Sequence, residues 1–127
     1  MAKKAKEIQF SAPNKVGVLS KITEAFKQGK VNIQHAAAWS EGSKAHFNIV
    51  TSDNGRAKKA LKKLKISAKE KDVLVLSMKN KVGSLGRVAK KLAKAGVSIS
   101  CLTATTSGKN TSVLIHTTND AKAQRVV

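Results

Sequence analysis

Two copies of one tetrapeptide stand in this chain, Asn14-Lys15-Val16-Gly17 and Asn80-Lys81-Val82-Gly83. Each follows a segment of alternating apolar residues and precedes a segment of helical period, so each reads as a strand–turn–helix bend. Such a bend suits a small ligand carrying a carboxylate. Glycine lets the backbone approach a ligand without a Cβ clash. The helix start offers N–H groups and the positive end of the helix dipole. The asparagine adds a donor and an acceptor for an ammonium and a carboxylate on the same molecule. The same residues also have a purely local use, because Asn and Gly cap helices and shape turns.

Other chemistry-bearing side chains make weaker cases. His35, His46, His116 and Cys101 show no zinc-type spacing. Cys101 falls within a predicted strand, away from the helix starts that lower a thiol pKa. His35 and Cys101 are equivalent in the repeat described below and are expected in the core, on the strand face of Val31, Ile33, Val97 and Ile99. The seven acidic residues form no paired motif, and no phosphate-loop or dinucleotide glycine pattern occurs. These residues point to a binding protein that is not an enzyme, with no metal and no cofactor.

The elements that must position the bends repeat as well. At the offset from Asn14 to Asn80, 66 residues, Leu19 matches Leu85, Val31 matches Val97, Ile33 matches Ile99, Gly42 matches Gly108 and Ile49 matches Ile115. One register continuing through several elements marks a duplication. In the first copy, strands are predicted over 7–12, 31–40 and 45–52, with a short fourth over 66–70. A helix follows Gly17 with Leu19, Ile22 and Phe26 as its stripe, and a second carries Ala57, Ala60, Leu61 and Leu64. In the second copy, strands are predicted over 73–78, 97–106 and 111–118, with helices over 84–95 and from about Ala121.

The order β-α-β-β-α-β makes each copy a ferredoxin-like α/β (α+β) two-layer sandwich with an antiparallel sheet. The expected domains are 1–70 and 71–127, the second lacking its fourth strand. Its edge beside strand 73–78 would then be covered by a partner or by the linker strand. Strand parity separates the outer faces. The first copy shows Glu7, Gln9, Ala36 and Asn48, and the second shows Val73, Val75, Leu102 and Leu114. The apolar face is expected to meet a second copy in a homodimer, or to be covered by an extended terminus.

The units resemble ACT domains, small regulatory βαββαβ modules attached to many amino-acid metabolic enzymes. The likeness rests on Asn14-Lys15-Val16-Gly17-Val18-Leu19 with Asn80-Lys81-Val82-Gly83-Ser84-Leu85, and on Val31-Asn32-Ile33 with Val97-Ser98-Ile99. The departures are Val16 and Val82 where the family has proline, Lys30 where it has glycine, and Ser98 where it has asparagine. The resemblance implies a stand-alone pair of regulatory domains that bind a small ligand, an amino acid by preference, where two domains pack side by side. Carried over by position, the ligand residues are Asn14, Val16, Gly17, Val18, Leu19 and Asn32, with Asn80, Val82, Gly83, Ser84, Leu85 and Ser98. A structural module with vestigial sites remains an alternative.

Charge raises a third class. The net charge is +18, with 25 Lys and Arg against 7 Asp and Glu. Lys58, Lys59, Lys62 and Lys63 on one helix, and Arg87, Lys90, Lys91 and Lys94 on another, fit solvated faces. They predict non-specific, salt-sensitive binding of nucleic acid at most. An RNA-recognition motif shares the element order but reads bases with aromatics on the outer sheet face. Phe47 matches Val113 and is expected in the core, and Trp39 is expected to be a packing residue. The N-terminus lacks the apolar run of a signal peptide, and no stretch has the length of a membrane span. A cytoplasmic location is the expectation.

Overall fold

The computed structural model describes residues 2–127, which form six strands and four helices. In order these are β1 (Ala2–Pro13), α1 (Val18–Gln28), β2 (Ile33–Glu41), β3 (Lys44–Thr51), α2 (Asn54–Lys63), β4 (Lys69–Lys79), α3 (Ser84–Lys94), β5 (Ile99–Ser107), β6 (Asn110–Thr117) and α4 (Asp120–Val126). The chain divides into two units. One is Lys6–Lys71, and the other joins residues 2–5 to Asp72–Val127.

In the first unit, β3 pairs antiparallel with both β1 and β2, in registers that set Ile8 against Ile49 and Phe10 against Phe47. The opening residues of β4 flank β1 on its other side, giving the order β2-β3-β1-β4. Helix α1 places Val18, Ile22, Ala25 and Phe26 on one stripe, the spacing of a single helical face. Ile22, Phe26, Ile8, Ile49 and Leu61 are almost fully buried together, each contributing roughly 1.5–3 kcal/mol. Phe10 and Phe47 stack inside this core with centroids 5.0 Å apart, as expected for Phe47. Asp53 caps α2 by accepting from the Arg56 N–H at 3.0 Å.

The second unit repeats the plan with β6 between β4 and β5, around Leu74, Leu76, Leu92, Val113 and Ile115. Asn119 caps α4 through the Lys122 N–H at 3.0 Å, the counterpart of the Asp53 cap.

Five expectations need correction. The short strand expected at 66–70 and the strand expected at 73–78 are one uninterrupted element, β4. From Asp72 onward the second unit has the expected three strands of its own, and what covers its open edge is residues 2–5, expected in a domain 1–70, rather than a partner or the linker strand. Residues 2–5 flank β4, Ala2 packs on the core, and the Ala2 carbonyl accepts from Gln124 Nε2 at 3.4 Å. The cause is length. A strand of 12 residues spans about 40 Å, more than its pairing with β3 uses, and an open edge is a standing demand for a partner.

The third correction concerns Leu19 and Leu64, which are 52% and 37% exposed rather than part of the buried stripes. The fourth comes from a β-bulge at the same place in each unit, between Ile33 and His35 and between Ile99 and Cys101. One extra residue reverses the parity of everything after it. Ala36 and Leu102 therefore pair with Ile49 and Ile115 on the helix side. His35, Trp39 and Cys101 turn to the outer face, opposite Val50, His46 and His116. Fifth, Val73 and Leu114 on the outer face of the second unit, expected to be open to a partner, are 0% and 2% exposed within the single chain.

Candidate functional site

The two Asn-Lys-Val-Gly segments fold into the same bend. The Asn14 N–H donates to the Ser43 carbonyl at 2.8 Å, and the Asn80 N–H donates to the Lys109 carbonyl at 2.8 Å. The Asn14 side-chain amide donates to the Gly42 carbonyl at 3.4 Å, and that of Asn80 to the Gly108 carbonyl at 3.2 Å. Each asparagine thus ties the bend to the neighbouring hairpin turn. That leaves its side-chain oxygen for other use.

Gly17 and Gly83 sit at φ +86° and +84°, a left-handed conformation that costs other residues about 1–2 kcal/mol. An added Cβ at Gly17 would meet nothing within 4 Å. Here glycine serves the backbone turn, and the space in front of it is open. No side chain caps α1 or α3, and no acidic residue lies in either first turn. Both helix starts keep the positive character that attracts an anion.

Val16 and Val82 form the tips of the bends and are fully exposed, at 106% and 102%. Leu19 and Leu85 stand one helical turn away and are also exposed. Val18 packs partly against the core, and Ser84 is half-buried at the matching position. Each bend therefore carries an uncapped helix start ringed by exposed aliphatic side chains.

Asn32 and Ser98 are not brought to the bends within their own units. Asn32 pairs its backbone with Ser52, and Ser98 pairs with Thr118, at the end of β3 or β6 remote from the bend. Pro13 pairs with Lys44 and Ile33 with Thr51, so most of β3, roughly 20 Å, separates the two parts of the set.

Behind the first bend lies a groove of about 490 Å³ between the end of β1, α1 and the segment after α2. Lys15, Lys21 and Lys65 stand along it beside Val16, Val18 and Ile66. Three ammonium groups over an aliphatic floor suit a small carboxylate. Lys21 and Lys65 carried no motif, since lysines at helical spacing read as solvated faces. Among the described residues no cluster of His, Cys, Asp or Glu could hold a metal ion.

The profile of the family described as "ACT domain pair" matches residues 5–127. The chain belongs to this family. No curated protein matches it. Among solved structures, a protein from Bacteroides thetaiotaomicron superposes on this ACT pair with a TM-score of 0.92 at 26% identity, covering 98% of this chain and 87% of the other. The ligand-free regulatory subunit of aspartate kinase from Thermus thermophilus is similar with a TM-score of 0.72 at 15% identity, covering 98% and 91%. The corresponding subunit from Thermus flavus gives 0.65 at 15% identity, covering 98% and 93%. At such identities the last two likenesses establish the shared tandem α/β fold. Among the described residues of the ACT pair, no helix is long and apolar enough to cross a membrane.

Proposed function

We propose that this ACT pair is a regulatory protein that binds a small molecule, an amino acid by preference, and performs no catalysis itself. The carrying observation is the repetition of the bend, hydrogen bond for hydrogen bond, with both helix starts uncapped. A carboxylate seated at Gly17 or Gly83 would meet backbone N–H groups and the helix dipole. The side-chain oxygen of Asn14 or Asn80 would accept from the ammonium. Val16, Val18 and Leu19, or Val82, Ser84 and Leu85, would line the side-chain end. Asn32 and Ser98 enter only as contributions from a neighbouring ACT unit, the arrangement the family implies.

The likeness to regulatory subunits of aspartate kinase supports regulation of an enzyme of amino-acid metabolism, and a cytoplasmic location goes with it. The exposed Val16 and Val82 tips favour assembly into a homodimer through the bends.

A thermal-shift screen against the standard amino acids tests this. A true ligand at about 100 times its Kd stabilises by about 2.7 kcal/mol, a rise of several degrees. Asn14→Ala and Asn80→Ala should each weaken that rise. If no amino acid at millimolar concentration moves Tm, the reading fails. The second reading, a structural module with vestigial sites, is favoured by one observation: both asparagine side chains already serve as turn ties.

A further inference from the structure

The bends leave one exposed feature unexplained. Trp39 is the only tryptophan of the chain and lies on the outer sheet face of the first unit, 44% exposed. Its ring stacks on His46 with centroids 5.5 Å apart and planes at 27°. The indole N–H donates to Glu41 Oε1 at 3.4 Å. That contact fixes the ring and occupies its single donor, so what remains on offer is a flat aromatic face.

The register arranges its neighbours in two rungs. Trp39, His46 and Ser11 share one, and Ala37, Asn48 and Gln9 share the next. A shallow hollow of about 420 Å³ lies over this surface, with Ser67 and Lys69 at its rim. All of these residues belong to the first unit. The βαββαβ template does not require the feature, because the second unit carries Thr105 and Ser112 at the positions of Trp39 and His46.

We propose that this shelf binds a nucleotide, with the base stacked on Trp39 and the phosphate drawn toward Lys69. An exposed aromatic face accepts any base, since every base has a π-face. The amides of Asn48 and Gln9 lie one rung away, where a base edge would seek hydrogen bonds, and Gln9 is oriented by donating to Glu7 Oε1 at 3.0 Å. Lys69 supplies a compact cation for phosphate, and the net charge of +18 brings anions to the surface. A sugar would also stack on indole, but it makes no use of the lysine or the surrounding charge. The ligand is either a free nucleotide or one residue of a single strand. Both present the same base and phosphate.

Because Trp39 is the sole tryptophan, intrinsic fluorescence reads the site directly in the intact chain. Adenosine monophosphate should quench it saturably at physiological salt, and ribose 5-phosphate and tripolyphosphate should not. A short mixed-sequence oligonucleotide binding much tighter than the mononucleotide identifies a strand as the source. Equal affinity identifies the free nucleotide. His46→Ala should weaken quenching about tenfold or more, and Lys59→Ala on the far face of α2 should leave it unchanged. Trp39→Thr, the residue of the second unit, should abolish binding in equilibrium dialysis while circular dichroism stays native. No quenching, equal quenching by tripolyphosphate, or unchanged binding by Trp39→Thr would each overturn the assignment. None of these outcomes bears on amino-acid binding at the bends.

Discussion

The two units share a backbone and differ in what they lay on it. Every hydrogen bond that shapes the first bend recurs 66 residues later, and so do the helix caps and the bulge. The outer faces have diverged. The first carries Glu7, Gln9, Asn48, His46 and Trp39, where the second carries Val73, Val75, Leu114, Ser112 and Thr105. The features held in common are those the chain path itself needs: a left-handed glycine, a capped helix, an extra residue that twists a strand. The features that differ answer to what each face meets, and they are where function should be sought.

The fourth strands give the sharpest contrast. In the first unit, Lys58 on α2 forms an ion pair with Glu70 on the opening of β4. In the second, Gln124 at the equivalent place on α4 reaches the Ala2 carbonyl of a strand supplied from the other end of the chain. Removing residues 1–5 should therefore weaken the second unit selectively. With each ladder hydrogen bond worth about 1 kcal/mol net, the loss should be on the order of 3 kcal/mol by urea denaturation. Hydrogen exchange should quicken in β4 beyond Asp72 and in β6, and remain slow in β3. Uniform quickening across both units would show that the edge strand is not local to the second.

A smaller effect is expected at the helix exits. Lys30 adopts φ +57° where its counterpart Gly96 adopts φ +71°. The strain is carried by a lysine in one unit and avoided in the other. Lys30→Gly should raise stability by about 1 kcal/mol, or about 4 °C in Tm, and Gly96→Lys should lower it by a similar amount. Equal melting temperatures for wild type and Lys30→Gly would mean that lysine contacts offset the strain.

The smallest effect follows from the Lys58–Glu70 pair. Hydrogen bonding from Lys58 holds the Glu70 carboxyl below the usual glutamate pKa. A group with a lowered folded pKa contributes stability above its unfolded pKa and loses it as pH falls through the folded value. At a partly exposed pair this amounts to about 0.5 kcal/mol. Glu70→Gln should flatten the acid limb of the stability profile by that much. The neutral Gln124–Ala2 contact of the second unit should contribute no such slope.

Much of the architecture was legible from residue order. The Asn-Lys-Val-Gly repeat, the hairpin glycines Gly42 and Gly108, and the apolar periods of β1, β3, α1 and α3 depend on neighbours a few residues apart, which the sequence states outright. The bends were legible for the same reason, since a left-handed glycine before a helix is a local device. The groove lysines Lys21 and Lys65 were not, because nothing distinguishes a lysine that borders a cavity from one that borders water until the cavity exists.

What the sequence by itself determined is the duplicated plan: two βαββαβ units, each with one strand–glycine–helix bend, because periodicity and turn chemistry act over short stretches of chain. The tertiary structure alone decided which way β2 and β5 face beyond their bulges, and so whether Trp39 lies in a core or on a surface. It also decided that residues 2–5 serve the second unit. Strand parity is a count that one inserted residue reverses, and an edge strand is chosen by whichever segment lies within reach. Both depend on pairing between segments far apart along the chain.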